Sequence, residues 1–506
     1  MRRKGRWYAV RVRRIVVVVV VTVLWWWWWS SSSSSSDQGQ RQQQGEMVCR
    51  YEPYGANERR HVGYAGTGAQ VCLKQLGCTS FVGGRAPPLW RVLWTFKHQP
   101  HLPCEATQAP HQRQRRFVNH CFHNPINNIA GRKSHQYTLY DGMRAAYGRD
   151  LYHAYMPDTW IMPRDAHRVM TMLRHEQQQQ PHNNTRSAFI FKPDLGSRAQ
   201  GIKIFTPGDS DHEQLARTLQ AEGVVQRYVD NPFLLQGHKH HLRLYLVTTS
   251  VSPVHAFLYK DGLYLPASSP YNRNDIWQTA SHLTNAAVSK HANKCKTSNQ
   301  ASDSSFSPEC PQPLHKYWQH AEVGEANTHT VMQDVKAILR RVVMSSPTIR
   351  SRHLPPCGLD CFEIHGVDIL LTTASGRLKP VLLEVNHSPE LYTPQHPTND
   401  AVHMRLLRHT RTLLMLDEQD DTWHVLQQCA TAEEMKSCAH QPSAALCNDD
   451  SVLRLLWHCR QQRHTQFTDV MLACPPHTME PPFQQWSSPH MHTLCCCHYN
   501  PAPATP

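Results

Sequence analysis

The sequence predicts an α+β protein built on mixed sheets, and three observations carry that prediction. Five short runs, AFIFK (188–192), GIKIF (201–205), VVQRYV (224–229), RLYLVTT (243–249) and HAFLY (255–259), are rich in the β-branched and aromatic residues of strands. Two longer runs, FEIHGVDILLT (362–372) and LKPVLLEVN (378–386), flank the Gly-bearing turn TASGR. Val331, Val335, Ile338, Leu339 and Val342 recur at helical spacing, and another helix is expected over Ala401–Leu416.

Residues 1–46 read as a low-complexity N-terminus. Arg2, Arg3, Lys4, Arg6, Arg11, Arg13 and Arg14 precede the apolar run Ile15–Trp29, and Ser, Gln and Gly fill 30–46. That run is shorter than the roughly 20 residues of a spanning helix, and no small-residue cleavage site follows it. Low-complexity sequence, a membrane anchor and a targeting peptide all stay open. Residues 47–165 read as an N-terminal α/β domain with a short helix at VCLKQLG (71–77) and a strand at RVLWTF (91–96). The Gln-rich stretch Glu176–Asn184 reads as a surface loop, and SVSP (250–253) as a hairpin turn. The strands and helices above fall in a second unit, 166–416. Within it 289–327, polar and aperiodic, is expected to be a disordered insertion. The tail 417–506 offers one amphipathic patch near Val452–Trp457 and a Cys495–Cys497 run.

With 40% apolar and 18% charged residues in 506, the chain is too apolar for wholesale disorder and long enough for a sizeable core. Fifty-three Lys and Arg against 39 Asp and Glu give +14, which favours an anionic partner: nucleotide, nucleic acid, membrane surface or acidic protein tail. Nucleic acid has only the charge in its favour and is set aside, since no zinc-finger spacing or aromatic RNA-binding signature accompanies it. Cys357 and Cys361 lack a second Cys/His pair, which argues against zinc. Seventeen cysteines, odd in number and scattered, point to a reducing compartment rather than a disulfide framework.

Asp368 lies in the first long strand, Glu384 and Asn386 in the second. Residues two apart leave the same face of a sheet. Positions 368 and 384 are symmetric about Gly376, so a regular hairpin sets the two carboxylates opposite each other. Among apolar neighbours such carboxylates repel and are desolvated unless a cation intervenes. Two carboxylates and an amide oxygen suit Mg²⁺; a solvated polar face of an edge hairpin is the alternative. Upstream, FIFKPDLGSRAQGIKIF sets Lys192 and Arg198 around a loop with Gly196 and Gly201, where backbone N–H groups can approach a phosphate. It is not a P-loop, because no GK[ST] precedes a helix. In VVQRYVDNPFLLQGHKHHLRLYLV, Lys239 leads into a strand on which His241, Arg243 and Tyr245 share a face.

In this order, FIFKPDLGSRAQGI, VVQRYVDNPFLL, HKHHLRLYLV, FLYKDGL, HLTN, CFEIHGVDILL and LKPVLLEVNHSPEL resemble the tubulin tyrosine ligase-like family, over roughly Phe117–Leu416. The resemblance is nearest to the members that add glutamate. It implies an ATP-grasp fold and an ATP-dependent carboxylate–amine ligase that joins free L-glutamate to glutamate side chains in the acidic C-terminal tails of tubulin. ATP and Mg²⁺ are the cofactors implied. Lys192 and Arg198 would contact the phosphates, Gln226, Arg227, Tyr228 and Val229 would lie beside adenine, and Ala199 and Lys239 would also reach the nucleotide. His241 would lie near the nucleotide, Thr284 and Asn285 would line the nucleotide and amino-acid site, and Asp368, Glu384 and Asn386 would hold the metal. Arg243 and Lys260 would pair with the amino-acid carboxylate or the acyl phosphate. The implied location is cytoplasm, microtubules, cilium or basal body, with a membrane only if 15–29 is an anchor.

The sequence departs from the family pattern in four places. Lys239-His240-His241 replaces the usual Lys-Phe-Asp, so an imidazole takes the place of a carboxylate. Ala199-Gln200-Gly201 replaces Gly-Arg-Gly. Ala286 replaces a Tyr after Thr284-Asn285, and Lys260 replaces an Arg and loses its bidentate fork. These departures keep two alternatives open: a weakened or inactive microtubule-binding relative, and a ligase adding glycine or tyrosine.

Overall fold

The structure is a computed structural model. It describes residues 47–51, 70–83, 92–94, 117–119, 132–147, 155–179, 187–194, 199–208, 212–251, 254–284, 295, 306–345, 360–387, 389–392, 397–414 and 467–469. In chain order come β1 (Val48–Tyr51), β2 (Ser80–Gly83), β3 (Val92–Trp94), β4 (Phe117–Asn119), α1 (Lys133–Tyr147), β5 (Thr159–Met162) and α2 (Ala166–Gln179). Then follow β6 (Phe189–Pro193), β7 (Lys203–Phe205), α3 (His212–Gln220), β8 (Gly223–Arg227), β9 (Leu234–Leu235) and β10 (His238–Val251). After these come β11 (Val254–Tyr259), β12 (Leu263–Pro266), α4 (Thr279–His282), β13 (Gln312–Pro313), α5 (Leu314–Trp318) and α6 (Glu325–Ser345). The last are β14 (Asp360–Ala374), β15 (Arg377–His387), α7 (Pro397–Leu413) and β16 (Phe467–Asp469).

These elements make two sheets. The smaller is antiparallel in the order β5-β8-β6-β7. The larger centres on β10 and β14, antiparallel partners from His241↔Leu370 to Thr248↔Glu363. Beyond β14 it continues through the parallel strands β4, β3, β1 and β2, so the expected N-terminal α/β domain shares its sheet with the downstream strands. Leu242, Leu244, Leu246, Val367, Ile369 and Leu382 pack on one face of β10, β14 and β15 against Val335, Ile338 and Leu339 of α6. The period of two sends Tyr245, Val247, Phe362 and Ile364 to the other face, against Val402, Leu406 and Leu407 of α7.

The β14–β15 hairpin pairs Asp368 with Glu384, as the sequence implies, but by a different route. A two-residue turn, Ser375–Gly376, closes Ala374 onto Arg377, with both central residues at positive φ, 51° and 75°. Counted regularly from that turn, Asp368 would face Leu383, and Glu384 would point to the apolar face. A bulge that skips Leu383 corrects the register. The chain on either side of it is held by Leu382 N–H donating to the Tyr155 carbonyl (2.7 Å) and Val385 N–H donating to Gln136 Oε1 (3.3 Å).

Three expectations need correction. Residues 306–327 are not disordered: β13 pairs with β12, and Leu314, Tyr317 and Val323 are buried in the core, which the polar composition around them hides. The first four residues of the Gln-rich stretch, Glu176–Gln179, are helical, since α2 runs to Gln179; Gln is a good helix former on an exposed face. Cys49–Cys78 and Cys295–Cys310 are disulfide-bonded, where the scattered cysteines point to a reducing compartment. The first pair meets because parallel β1 and β2 bring Val48 beside Ser80. Cys72 is a buried free thiol, its pKa pushed up to about 12 by burial and by Asp400. The Ile15–Trp29 run, the Ser-Gln stretch, the Val452–Trp457 patch and the Cys495–Cys497 run lie outside the described residues. Among the described residues no helix is long and apolar enough to cross a membrane.

Candidate active site

In the smaller sheet the side chains sort by period two. Phe189 and Phe191 of β6 enter a core with Val169 and Leu173 of α2 and Leu219 of α3. Ile190 turns the other way, packing with Ile204, Tyr228, Ile276 and Leu283. Lys192 shares that second face and is 9% exposed. In the larger sheet Lys239, His241 and Arg243 leave the face opposite α6, and Lys239 and His241 are each 6% exposed. The two lysines come from different sheets, yet the charge of Lys192 is felt at Lys239. Burial, then Lys192, brings the Lys239 pKa down to about 7. Burial also depresses Lys192, partly offset by Glu384 and Asp368. Among the described residues no carboxylate lies within 4 Å of either ammonium. Lys239 instead donates to the Tyr228 hydroxyl (2.7 Å) and lies 4.2 Å from the centre of its ring.

Arg243, Asp368 and Glu384 form one rung across β10, β14 and β15. Arg243 grips both oxygens of Asp368, through Nε and through a guanidinium nitrogen at 3.0 Å. Burial disfavours the charged Asp368, but Arg243, His241 and Lys192 outweigh it and hold the carboxyl below its ordinary range. The guanidinium reaches Asp368 by crossing Gly366. A Cβ at 366 would stand 3.3 Å from Arg243 Cδ and 3.2 Å from Pro389 Cβ. Gly366→Ala is therefore expected to loosen the pair and lower thermal stability by about 1–2 kcal/mol. An unchanged melting curve would contradict this close approach.

Asn386 Nδ2 lies 3.0 Å from Glu384 Oε1 and 3.4 Å from Asp368 Oδ2. Lys133, in the first turn of α1, reaches Glu384 at 3.9 Å. No group of three or more His, Cys, Asp or Glu among the described residues is arranged to hold a metal. A cation here would need the amide, and half a turn about the Asn386 side chain presents Oδ1 beside the two carboxylates. Three hard oxygen donors on one face fit Mg²⁺, which completes its shell with water and phosphate oxygens.

His241 stands between the metal candidates and Thr284. Its Nδ1 is 2.5 Å from Thr284 Oγ1, and its Nε2, 3.7 Å from Asp368 Oδ1, is buried without a hydrogen-bond partner. Burial favours the neutral ring against the pull of Asp368. Ala199 adopts positive φ (60°) before Gly201, whose own φ is 72° and whose Cβ would stand 2.8 Å from Pro193 Cγ. Asp194, at the end of β6, accepts from Ser134 N–H and Oγ (both 2.8 Å), which ties the loop strand to the N-terminus of α1.

The remaining expected site residues divide. Gln226 is buried and donates to Thr159 Oγ1 (2.9 Å). Arg227 pairs with Glu176 (2.8 Å) and covers the Phe189 ring. The backbone N–H groups of Arg227 and Tyr228 are already taken by the Asp158 and Ala188 carbonyls. Of the stretch 226–229, then, the Tyr228 side chain faces the buried lysines, and Val229 follows it half-buried. Lys260 stands apart, exposed after β11, and the nearby cation Lys336 belongs to α6 on the opposite face of the sheet. Arg198 and Asn285 lie outside the described residues. Sequence reading missed Lys133, Gln136, Ser134 and Asp194, whose partners are 60 or more residues away, and no short-range signal marks them.

Two sheets facing each other across buried lysines and paired carboxylates define an ATP-grasp protein. A family model described as the tubulin-tyrosine ligase family matches residues 111–420, and the chain belongs to that family. Human tubulin polyglutamylase TTLL7 is 29% identical over 338 residues, 62% of this chain and 34% of its own length. Human tubulin polyglutamylase TTLL6 is 30% identical over 303 residues, 55% of this chain and 30% of its own. Mouse probable tubulin polyglutamylase TTLL2 is 30% identical over 278 residues, 54% and 47%. The chain thus spans a third to a half of the length of these relatives.

Proposed function

We propose that the chain is an ATP-dependent ligase that adds glutamate to glutamate side chains in the acidic tails of tubulin. The observation that carries this reading is the pair of buried ammoniums, Lys192 and Lys239, with no carboxylate within 4 Å among the described residues. Buried charge left unpaired is costly, and a polyanionic ligand between the sheets removes the cost. The apolar patch of Ile190, Ile204, Tyr228 and Leu283 beside the lysines suits a planar base, which makes a nucleoside triphosphate the fitting anion. Relatives named as tubulin polyglutamylases supply the acceptor.

A carboxylate is a poor acyl donor because its leaving group would be oxide. An acceptor carboxylate oxygen attacks the terminal phosphorus of ATP, ADP leaves, and an acyl phosphate forms. The amine of free glutamate then attacks the acyl carbon, phosphate departs with the bonding electrons and takes up the proton that the nitrogen releases, and an amide remains. Lys192 and Lys239 would neutralise the phosphates, with Arg198 and the Ala199–Gly201 turn beside them. Mg²⁺, held by Asp368, Glu384 and Asn386, would neutralise the transferring group. Arg243 retains an exposed side, 22% of its side chain, from which it can meet an incoming carboxylate. The +14 charge favours an acidic tail as partner. The place of action follows the substrate: cytoplasmic and ciliary microtubules.

His241 favours a second reading, a microtubule-binding relative with weakened catalysis. It brings a neutral ring to a position where the family pattern has a carboxylate. Glutamate transfer by the full chain and by His241→Asp decides between them. Wild-type transfer within about tenfold of the variant supports the ligase. ATP binding without transfer, gained by His241→Asp, supports the second reading.

A further inference from the structure

His282 takes no part in the chemistry above, yet it closes a buried hydrogen-bond chain that ends on Lys239. Its Nε2 lies 2.9 Å from the Asp275 carbonyl, and its Nδ1 lies 2.6 Å from the Tyr228 hydroxyl. A carbonyl only accepts, so Nε2 carries the proton. Burial disfavours the imidazolium, which leaves Nδ1 as an acceptor. At 2.6 Å, Nδ1 is the acceptor for the Tyr228 hydroxyl proton, and the oxygen lone pairs face Lys239 Nζ at 2.7 Å; the Tyr271 hydroxyl, which donates its own proton to the Asp230 carbonyl (3.0 Å), is a second acceptor near the Tyr228 hydroxyl. His282 is 2% exposed and also meets the Tyr228 and Tyr271 rings edge-on, at 5.7 and 5.1 Å.

We propose that His282 is a positioning residue for nucleotide binding: it fixes the Tyr228 hydroxyl so that its oxygen accepts from, and aims, the Lys239 ammonium. The direction of the chain follows from the carbonyl at its far end. Without an acceptor at Nδ1, the hydroxyl proton turns toward Tyr271 or Lys239, and the oxygen lone pairs are no longer aimed at the ammonium. With the acceptor in place, each bond polarises the next. Asp275 supplies only its main chain, so α4 and the loop before it set the direction of the Lys239 bond. This inference rests on the nucleotide-site reading.

The test is Mg²⁺-ATP affinity of the full chain by calorimetry, for wild type, Lys239→Met, Tyr228→Phe, His282→Leu and His282→Asn. The Asn Oδ1 can take the place of Nδ1 as acceptor. His282→Leu is expected to weaken ATP roughly tenfold, the range of one hydrogen bond to a charged group. His282→Asn should recover most of that loss. In the Tyr228→Phe background, His282→Leu should cost nothing further, because the chain is already cut. Unchanged affinity in His282→Leu, an equal loss in the Asn variant, or losses that multiply with Tyr228→Phe would each overturn the proposal. If His282→Leu fails to fold, Asn against wild type in both Tyr228 backgrounds decides it: near-wild-type affinity in Asn supports the proposal, and a loss independent of Tyr228 overturns it. Lys239→Met separates the two levels. Unchanged ATP binding in that variant defeats the nucleotide-site reading itself, whereas a loss there with intact His282 variants defeats only the positioning role.

Discussion

Arg243→Leu is expected to destabilise the protein by about 3–5 kcal/mol at neutral pH, the cost of leaving a buried carboxylate without its partner. Asp368 is 6% exposed, and Arg243 holds both of its oxygens. In the wild type this pairing depresses the Asp368 pKa. Its stabilising contribution is present above the unfolded value of about 3.9 and is lost as pH falls through the folded value. The penalty of Arg243→Leu should therefore be largest near pH 7 and shrink toward pH 4 as the stranded carboxyl takes a proton. Removing both charges in Arg243→Leu/Asp368→Leu should restore most of the stability and none of the activity. Denaturant melts of the four proteins at two pH values measure this. A double variant as unstable as the single one would show that the rung contributes packing rather than paired charge.

Lys239→Met should do the opposite, stabilising the empty protein while weakening ATP by a factor of about 30 or more. The wild-type ammonium is buried, depressed to about 7, and free of any carboxylate within 4 Å among the described residues. Replacing it with an apolar chain of similar length removes a desolvation cost of roughly 1–3 kcal/mol. The sign with pH follows from its depressed value. Between about 7 and the unfolded value near 10.4 the folded state binds fewer protons, so wild-type stability rises with pH. The advantage of Lys239→Met is then greatest at or below pH 7 and fades toward pH 10. Lys192→Met should behave alike. A variant that loses both stability and nucleotide affinity would mean that Lys239 holds the fold together and is no vacancy for an anion.

The legible part of this protein is local. Strand runs with period two revealed β6, β8, β10, β11, β14 and β15, because each buries one face and the pattern records it. The Asp368–Glu384 pairing was also legible, although the reason was not: symmetry about Gly376 gives the right partner only because the Leu383 bulge compensates for a shorter turn. No residue type announces that bulge. Its anchors, Tyr155 and Gln136, sit on remote elements. Lys260 shows the converse. The family resemblance implies an anion-binding cation there, yet the turn after β11 leaves it exposed near α6. Leu314 and Tyr317 were hidden because a five-residue helix in polar surroundings has too few turns to display a period. His282 stands in the HLTN run without a role of its own; only the Asp275 carbonyl and the Tyr228 hydroxyl, placed by the tertiary fold, give it one.

We propose that the paired carboxylates and buried lysines of the two sheets perform ligation on tubulin tails. The most direct measurement incubates the full chain with Mg²⁺-ATP, isotopically labelled glutamate and microtubules, beside Glu384→Gln, and weighs the tubulin tails by mass spectrometry. The account predicts tails heavier by whole glutamate residues with the wild type and none with Glu384→Gln, which keeps the shape of the side chain but loses its charge. Folded protein that binds ATP yet adds neither glutamate, glycine nor tyrosine, or a Glu384→Gln variant as active as the wild type, would contradict it.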